Sequence, residues 1–280
     1  MSSANAPAHS PARFSPRRPT PDQLMRAPNR PAKRANDIAC VFRIQLAGLR
    51  AEFGPFLLAA LVFPAATYLF ANAVGGAEAA AGDSRLRFLA GSIVFSVSLT
   101  SISWLGYLLL ENRFTGRLKL FATLPLAPSS YVFGVLLFAL AQTAAGTLSL
   151  FAVSRLIGVR TRLDPAGAAL VALIVVLTML CLCGLGVVIA ARARSFSEGS
   201  LLTDTLGAGL VFLAPVYYPA EAMPRALRVV AELLPTAFAA RAVRTALAGG
   251  HAVGVELIAL ALFACATLSL GFRLMNWRER

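Results

Sequence analysis

Charged residues are scarce in this chain, and their scarcity identifies the solvent in which it folds. They make up 14% of the 280 residues, whereas hydrophobic residues make up 58%. The mean hydropathy of +0.70 is far above that of a typical water-soluble domain. This composition excludes an ordinary soluble domain and indicates a protein of the lipid bilayer.

Histidine is nearly absent, which excludes the familiar catalytic and metal sites. His9 lies in the N-terminal tail and His251 at the edge of an apolar run, so neither an H-E-x-x-H zinc site nor a Ser–His–Asp relay can be assembled. Cys181 and Cys183 are two residues apart in an apolar run and point to different sides of a helix. We predict no metal site, no catalytic residue and no disulfide framework, and interpret these cysteines as packing residues.

Lysine is also rare, and this bears on nucleotide binding. A P-loop requires glycine, four further residues, glycine, lysine and then serine or threonine. Lys33 and Lys119 are the two lysines of the chain, and neither stands in that context. Gly184 and Gly186 lie inside an apolar run with no strand before them, so they predict close helix packing. The chain therefore has no ATPase site of its own, and we expect it to be neither an enzyme nor a cofactor-binding protein.

Six apolar runs are long enough to cross a bilayer. A spanning helix needs about 20 mostly apolar residues, and the alternation with period two that a membrane barrel requires is absent. The expected fold is an all-α membrane protein of six spanning helices. Pro64 falls inside the first run and is expected to kink its helix. The runs are 55–74, 88–110, 131–154, 166–191, 200–218 and 252–272.

The first 36 residues differ from the rest in composition. They contain seven prolines and seven basic residues against one acid, so we expect residues 1–36 to be a disordered basic tail before a membrane domain at 37–280. Lysine and arginine accumulate on the cytoplasmic side of membrane proteins. Placing both termini in the cytoplasm puts 17 of the 26 basic residues inside. We therefore predict a multi-pass protein of the plasma membrane, the inner membrane of a bacterial cell, with both termini cytoplasmic.

The positive charge follows the membrane edges and is not gathered on one soluble face. This distribution argues against nucleic acid as a partner and favours the headgroups of membrane lipids. Residues 38–53 have the same character, because their apolar side chains share one arc of a helix with basic residues on its flank. We predict an interfacial helix there. Its principal residues are Phe42, Arg43, Leu49 and Arg50.

The segment 111–130 connects the second and third runs and is too polar to be buried in lipid. Its pattern predicts a short helix with Phe114, Leu118 and Phe121 on one side, which Pro125 ends. From the pattern alone two interpretations stay open: a helix lying among headgroups, or a rigid cytoplasmic element on which a soluble motor acts.

This segment resembles the permease subunits of ABC-2-type exporters, such as those of drug efflux. In that family an acid ends the second span, a glycine follows, and a leucine-rich turn and a Thr-x-Pro step lead into the third span. The residues at and beside these places are Glu111, Arg113, Gly116, Arg117, Lys119, Leu120, Thr123 and Pro125. The resemblance implies a cytoplasmic coupling helix that contacts an ATPase. Arg117 and Lys119 depart from the family's usual Gly-Thr and following acid.

Residues 212–250 carry a second resemblance to the same family, whose members have short helices punctuated by prolines between the fifth and sixth spans. The matching positions are Pro219, Glu221, Pro224, Leu227 and Pro235, followed by Arg241 or Arg244 and by Gly249. The resemblance implies re-entrant helices on the outer side, with an ordinary amphipathic loop as the alternative. The helix at residues 38–53 likewise resembles the family's elbow helix.

The resemblance implies a complete assembly. The chain would be the permease subunit of an exporter that moves an amphipathic or lipid-like substrate outward by alternating access. A separate ABC ATPase subunit would bind ATP and Mg²⁺, and a second permease chain, identical or different, would complete a dimer. Two other classes stay open: an ATP-independent proton-coupled carrier and a non-transporting membrane scaffold.

Polar residues inside the runs also have two interpretations each. Asp204 is the candidate relay of a proton-coupled carrier, but we interpret Asp204 and Glu256 as acids in the first turns of their helices, where the helix dipole favours them. Hydroxyl residues of the second and fifth runs are either a lightly polar pathway lining or packing residues. They are Ser96, Ser98, Thr100, Ser103, Thr203 and Thr205.

Overall fold

The chain folds into a bundle of helices. A computed structural model describes residues 30–51, 54, 57–75, 82–117, 128–159, 161–218 and 223–274, and these ranges contain no strand. Two π-helical turns, Leu58–Val62 and Leu99–Trp104, precede α2 and join α3 to α4. The α-helices are α1 (Arg30–Ala51), α2 (Phe63–Val74), α3 (Gly82–Ser98), α4 (Leu105–Phe114), α5 (Pro128–Leu156), α6 (Pro165–Arg192), α7 (Phe196–Leu213), α8 (Arg225–Glu232), α9 (Pro235–Leu247) and α10 (Gly254–Leu274).

Four helical stretches of the described residues are long and apolar enough to cross a membrane. They overlap the second, third, fourth and sixth apolar runs of the sequence, and they confirm an all-helical membrane protein. The first and fifth runs are also helical, as α2 with its π turn and as α7, but neither meets the same standard of length and apolarity within the described ranges. The four stretches are Ser84–Phe114, Ser130–Leu156, Pro165–Arg192 and Gly254–Gly271.

α1 begins at Arg30, earlier than the tail boundary that composition places at residue 36. Pro31 stands in its first turn, where a missing N–H is tolerated, and the alanine, lysine and arginine that follow favour a helix. Helical structure therefore extends into the basic tail. Val41 is the anchor of α1: it is 1% exposed and packs onto α5 at Gly134, where an added side-chain carbon would lie 2.6 Å from its Cβ atom.

The helix of the first run changes form just before Pro64. Pro64 lies in the first turn of α2, directly after the π-helical turn at Leu58–Val62. A proline ring inside a helix clashes with the carbonyl four residues earlier, and here that carbonyl belongs to Ala60, within the π turn. The irregularity next to Pro64 is this wider turn, and the kink expected at Pro64 stays a prediction.

Glycine allows α6 and α10 to approach each other closely. A side-chain carbon at Gly184 of α6 would lie 2.7 Å from the backbone nitrogen of Leu268 on α10. One turn away, the Thr267 hydroxyl donates a hydrogen bond to the Cys181 carbonyl at 2.9 Å. Small residues at helix contacts are typical of membrane bundles, in which lipid leaves little hydrophobic driving force between helices. The packing role predicted for Gly184 is confirmed.

Gly184→Ala is expected to lower the free energy of unfolding by about 1–3 kcal/mol, because the new methyl group overlaps the α10 backbone. Gly209→Ala on α7 is the matched control, since a side-chain carbon there meets no heavy atom within 4 Å. Thermal or denaturant unfolding of the detergent-solubilised chain measures both. Equal stability of the two variants would contradict the close approach of α6 and α10.

Candidate functional site

Residues 111–117 are the described first part of the segment 111–130, and they lie where several helices end. α4 ends at Phe114 and α5 begins at Pro128, so Glu111 and Arg113 belong to the last turn of α4. The end of α6 and the start of α7 lie on the same side, because Arg113 contacts the turn between them. The predicted residues outside the described ranges are Lys119, Leu120, Thr123 and Pro125.

Gly116 ends this part of the chain's helix by its backbone conformation. Its φ of +76° lies in the left-handed region, which glycine adopts without strain. Its N–H donates to the Arg113 carbonyl at 3.3 Å. The helix predicted to carry Phe114 is therefore interrupted at Gly116, and its other predicted residues, Leu118 and Phe121, lie outside the described ranges.

Among the described charges of the segment, Arg113 makes the most hydrogen bonds. Its Nη1 atom donates to the carbonyls of Ala190 at 2.7 Å, Ala193 at 2.9 Å and Ala191 at 3.3 Å. These carbonyls belong to the C-terminal end of α6 and the residue after it, where carbonyls lack helical partners and the helix dipole is negative. A guanidinium supplies hydrogen-bond donors as well as positive charge, so Arg113 holds α4 against the turn between α6 and α7.

Asn112 and Tyr131 join the two helices that flank the connecting segment. The Asn112 Nδ2 atom donates to the Tyr131 hydroxyl at 2.7 Å, and the two residues are 3% and 2% exposed. A buried hydrogen bond of this kind is expensive to break, because the freed groups find no water. The end of α4 and the first turn of α5 are thus held at a set distance from each other.

Glu111 and Arg117 form an ion pair at the surface. Arg117 Nη1 lies 3.0 Å from Glu111 Oε1, and the side chains are 58% and 46% exposed. Exposed pairs add between zero and about 1 kcal/mol of stability. The two charges are therefore presented to the surroundings with little role in holding the fold.

A capping box begins α7. The Ser195 Oγ atom accepts a hydrogen bond from the Glu198 N–H at 3.1 Å, and the Glu198 carboxylate accepts one from the Arg194 N–H at 3.0 Å. The pattern S-x-x-E is a helix-start signal that the sequence itself carries, although our sequence predictions do not include it. This start places Phe196 against Tyr107 of α4, with ring centroids 6.3 Å apart.

Asp204 lies in the third turn of α7, and the first-turn interpretation of this residue is wrong. α7 begins at Phe196, so its first-turn acid is Glu198, and the influence of the helix dipole falls off within that turn. Asp204 instead accepts a hydrogen bond from the Tyr107 hydroxyl on α4. Glu256, by contrast, does lie in the first turn of its helix, α10.

Most hydroxyl side chains of the second and fifth runs are buried between helices. Ser98 donates to the Val94 carbonyl and Thr203 to the Ser200 carbonyl, each at 2.8 Å within its own helix. Thr205 is exposed. Burial favours helix packing over a pathway lining for the others. The buried ones are Ser96, Ser98, Thr100, Ser103 and Thr203.

The region between α7 and α10 forms two short helices of opposite character. Pro224 precedes α8, which exposes 40% of Leu227, whereas α9 begins at the buried Pro235 and is covered along most of its length. Thr236 fastens α9 to α7, because its hydroxyl donates to the Leu210 carbonyl at 2.5 Å. The predicted residues of this region outside the described ranges are Pro219 and Glu221.

On α1, Phe42 and Arg43 have different surroundings. The Phe42 ring is half-buried, with its centroid 6.2 Å from that of Phe138 on α5. Arg43 is exposed. Phe42 therefore lies on an apolar face of α1, and Arg43 lies on a basic flank of the same helix. The side chains of Leu49 and Arg50 lie outside the described part of the chain.

These features define a membrane protein in which several polar contacts lie at helix ends. Its described residues contain no group of three or more His, Cys, Asp or Glu side chains that could hold a metal ion. The model of the ABC-2 type transporter family matches residues 39–248. The chain belongs to this family, whose domain is a membrane transport domain and not a catalytic one, and which typically works with an ATPase partner. No curated protein matches the chain.

Arg113→Gln is expected to lower the free energy of unfolding by about 1–3 kcal/mol, because the carbonyls that end α6 lose a charged donor. Arg117→Gln is the matched control and should change it by less than about 0.5 kcal/mol, since its side chain is exposed. The unfolding midpoints of the solubilised variants provide the measurement. A control variant as unstable as Arg113→Gln would refute the anchoring role of Arg113.

Proposed function

We propose that this chain is the permease subunit of an ATP-driven exporter that moves an amphipathic or lipid-like substrate outward by alternating access. Membership of the ABC-2 family supports the transport class. The observation that carries the motor-driven mechanism is the double anchoring of the segment 111–127, through Arg113 to the end of α6 and through Asn112 to Tyr131 of α5. A segment held at both ends is suited to receive force.

The proposal includes a separate ABC ATPase subunit. The chain has no P-loop, so ATP and Mg²⁺ would bind to that partner, and its surface would meet the segment 111–127. Glu111 and Arg117 are the described charges best placed for this contact, because their side chains are about half exposed. The predicted contact residues Gly116, Lys119, Leu120, Thr123 and Pro125 belong to the same segment.

The proposed topology has six spans with both termini in the cytoplasm of a bacterial cell. α7 supplies the fifth span: its 18 residues give a helix of about 27 Å, close to the roughly 30 Å of a bilayer core. α2 and its π turn supply the first span. The ends of α4 and α6 then face the cytoplasm, and α8 and α9 form the re-entrant pair on the outer side.

Force on the segment 111–127 would reach several helices together. Arg113 links it to the turn between α6 and α7, and nearly two turns further into α4 the Tyr107 hydroxyl is bonded to Asp204 of α7. Closure of the ATPase subunits would therefore tilt α4 and α7 as a unit. A second permease chain, identical or different, would provide the other wall of the pathway, and α7 offers exposed apolar residues such as Leu201 and Phe212 for that contact.

Asp204 bears on the proton-coupled alternative. A relay acid must gain and lose a proton during each cycle, whereas Asp204 already has a structural role as the acceptor of the Tyr107 hydrogen bond. That role explains the acid inside an apolar helix without proton transport. The geometry therefore favours the ATP-driven mechanism.

Glu111→Gln and Gly116→Ala are expected to weaken assembly with the ATPase, or its stimulated hydrolysis, several-fold while leaving membrane insertion intact. The first removes an exposed charge of the contact, and the second strains a backbone with φ of +76°. Glu232→Gln is the control, because it removes an acid at the far end of the bundle. Co-purification of the ATPase subunit and ATP hydrolysis by the complex are measured. Wild-type values for both variants would reject the motor-contact assignment.

A further inference from the structure

An open apolar groove of about 370 Å³ separates α5 from α6. The α5 wall includes Leu140, Ala144 and Phe151, which recur at helical spacing along one face. The α6 wall includes Val171 and Ala172. Since both helices are long and apolar enough to span a membrane, the groove lies within the hydrocarbon region and opens sideways to lipid.

The length of the groove matches one leaflet. From Leu140 to Phe151 the α5 wall rises about 17 Å at 1.5 Å per residue. This is roughly half of the 30 Å thickness of a bilayer core. A groove of this length and volume is suited to a single extended acyl chain, not to a compact ligand.

Two arginines lie close in the chain to residues that line one end of the groove. Arg155 follows Phe151 by four residues and so continues the same face of α5, and Arg162 directly precedes the lining residue Leu163. Both arginines are exposed. Neither guanidinium has an ion-pair partner among the described residues, so this end of the groove has an uncompensated positive charge.

The nearest acid, Asp164, is engaged elsewhere. Its Oδ1 atom accepts a hydrogen bond from the Gly167 N–H at 2.7 Å as the cap of α6. The same atom lies 3.5 Å from His251 Nε2. Its charge therefore serves the helix start and the histidine, and it is not paired with Arg155 or Arg162.

We propose that this groove binds one acyl chain of an anionic phospholipid, with the headgroup phosphate between Arg155 and Arg162. A guanidinium donates two parallel hydrogen bonds to a phosphate. Phosphatidylcholine has the same phosphate, but its quaternary ammonium cancels the charge, so two arginines favour a headgroup with a net negative charge. The site is distinct from the segment 111–127, because Arg113 of that segment contacts the opposite end of α6. Binding here does not depend on an ATPase partner, so the proposal stands or falls separately from the transport function.

The test is retention of lipid by the full purified chain, measured by native mass spectrometry after exposure to phosphatidylglycerol or to phosphatidylcholine with the same acyl chains. The wild type is expected to retain phosphatidylglycerol at least fivefold better, and each arginine is worth about fivefold. The double variant Arg155→Gln/Arg162→Gln should bring the two lipids to near parity. Arg192→Gln, at the other end of α6, is the charge control and should keep the preference.

The groove itself is tested by filling it. Ala144→Phe and Ala172→Phe place a ring in the groove from opposite walls, and each should abolish retention of both lipids. Ala141→Phe is the matched control, because Ala141 is exposed on α5 but does not line the groove.

Two results would overturn the proposal. One is wild-type retention of phosphatidylglycerol by a groove-filling variant that unfolds at the same temperature as Ala141→Phe. The other is equal retention of the two lipids by the wild type, which would reject the arginine headgroup site. If one filled variant does not fold, the variant on the opposite wall and the arginine pair decide the outcome.

Discussion

Helices in a bilayer already lie in an apolar solvent, so packing one apolar side chain against another helix gains little free energy. Cohesion must come from close backbone contact and from hydrogen bonds between polar groups of neighbouring helices. Both occur here. Gly184 lets α6 approach the backbone of Leu268, and Arg113 donates hydrogen bonds to the carbonyls at the end of α6. Leu140 and Phe151, in contrast, face an open groove, because nothing in lipid forces α5 and α6 together there.

The need for hydrogen-bond partners also determines how the segment 111–127 is held. The carbonyls at the end of α6 need donors, and Arg113 satisfies them from another helix. The interaction that completes α6 is therefore also the one that links the segment 111–127 to the α6–α7 turn. Asn112 links the same segment to α5 through its side-chain hydrogen bond with Tyr131. A contact that serves stability in this way can also transmit force, which is why the proposed motor contact lies at helix ends and not along a helix face.

Much of the helical architecture can be predicted from the sequence, because 20 apolar residues in a row have one stable form in lipid. The runs that became α5, α6 and α10 follow this rule directly. The interruption at Gly116 and the position of Asp204 within α7 could not be predicted in this way, since each depends on where a helix begins or ends. The Ser195–Glu198 capping box carries that information for α7. Pairs such as Tyr107 with Asp204, 97 residues apart, have no local signal and require the packed structure.

The proposed function requires that this ABC-2 family member be driven by ATP bound to another chain. The most direct measurement is purification of the tagged chain from its own membrane under mild conditions, with assays for a co-purifying ATPase and for the energy source of transport. A P-loop ATPase in stoichiometric amount, with transport that stops when ATP is withdrawn, is the predicted result. A chain that repeatedly purifies without an ATPase, and whose transport persists without ATP, would contradict the account.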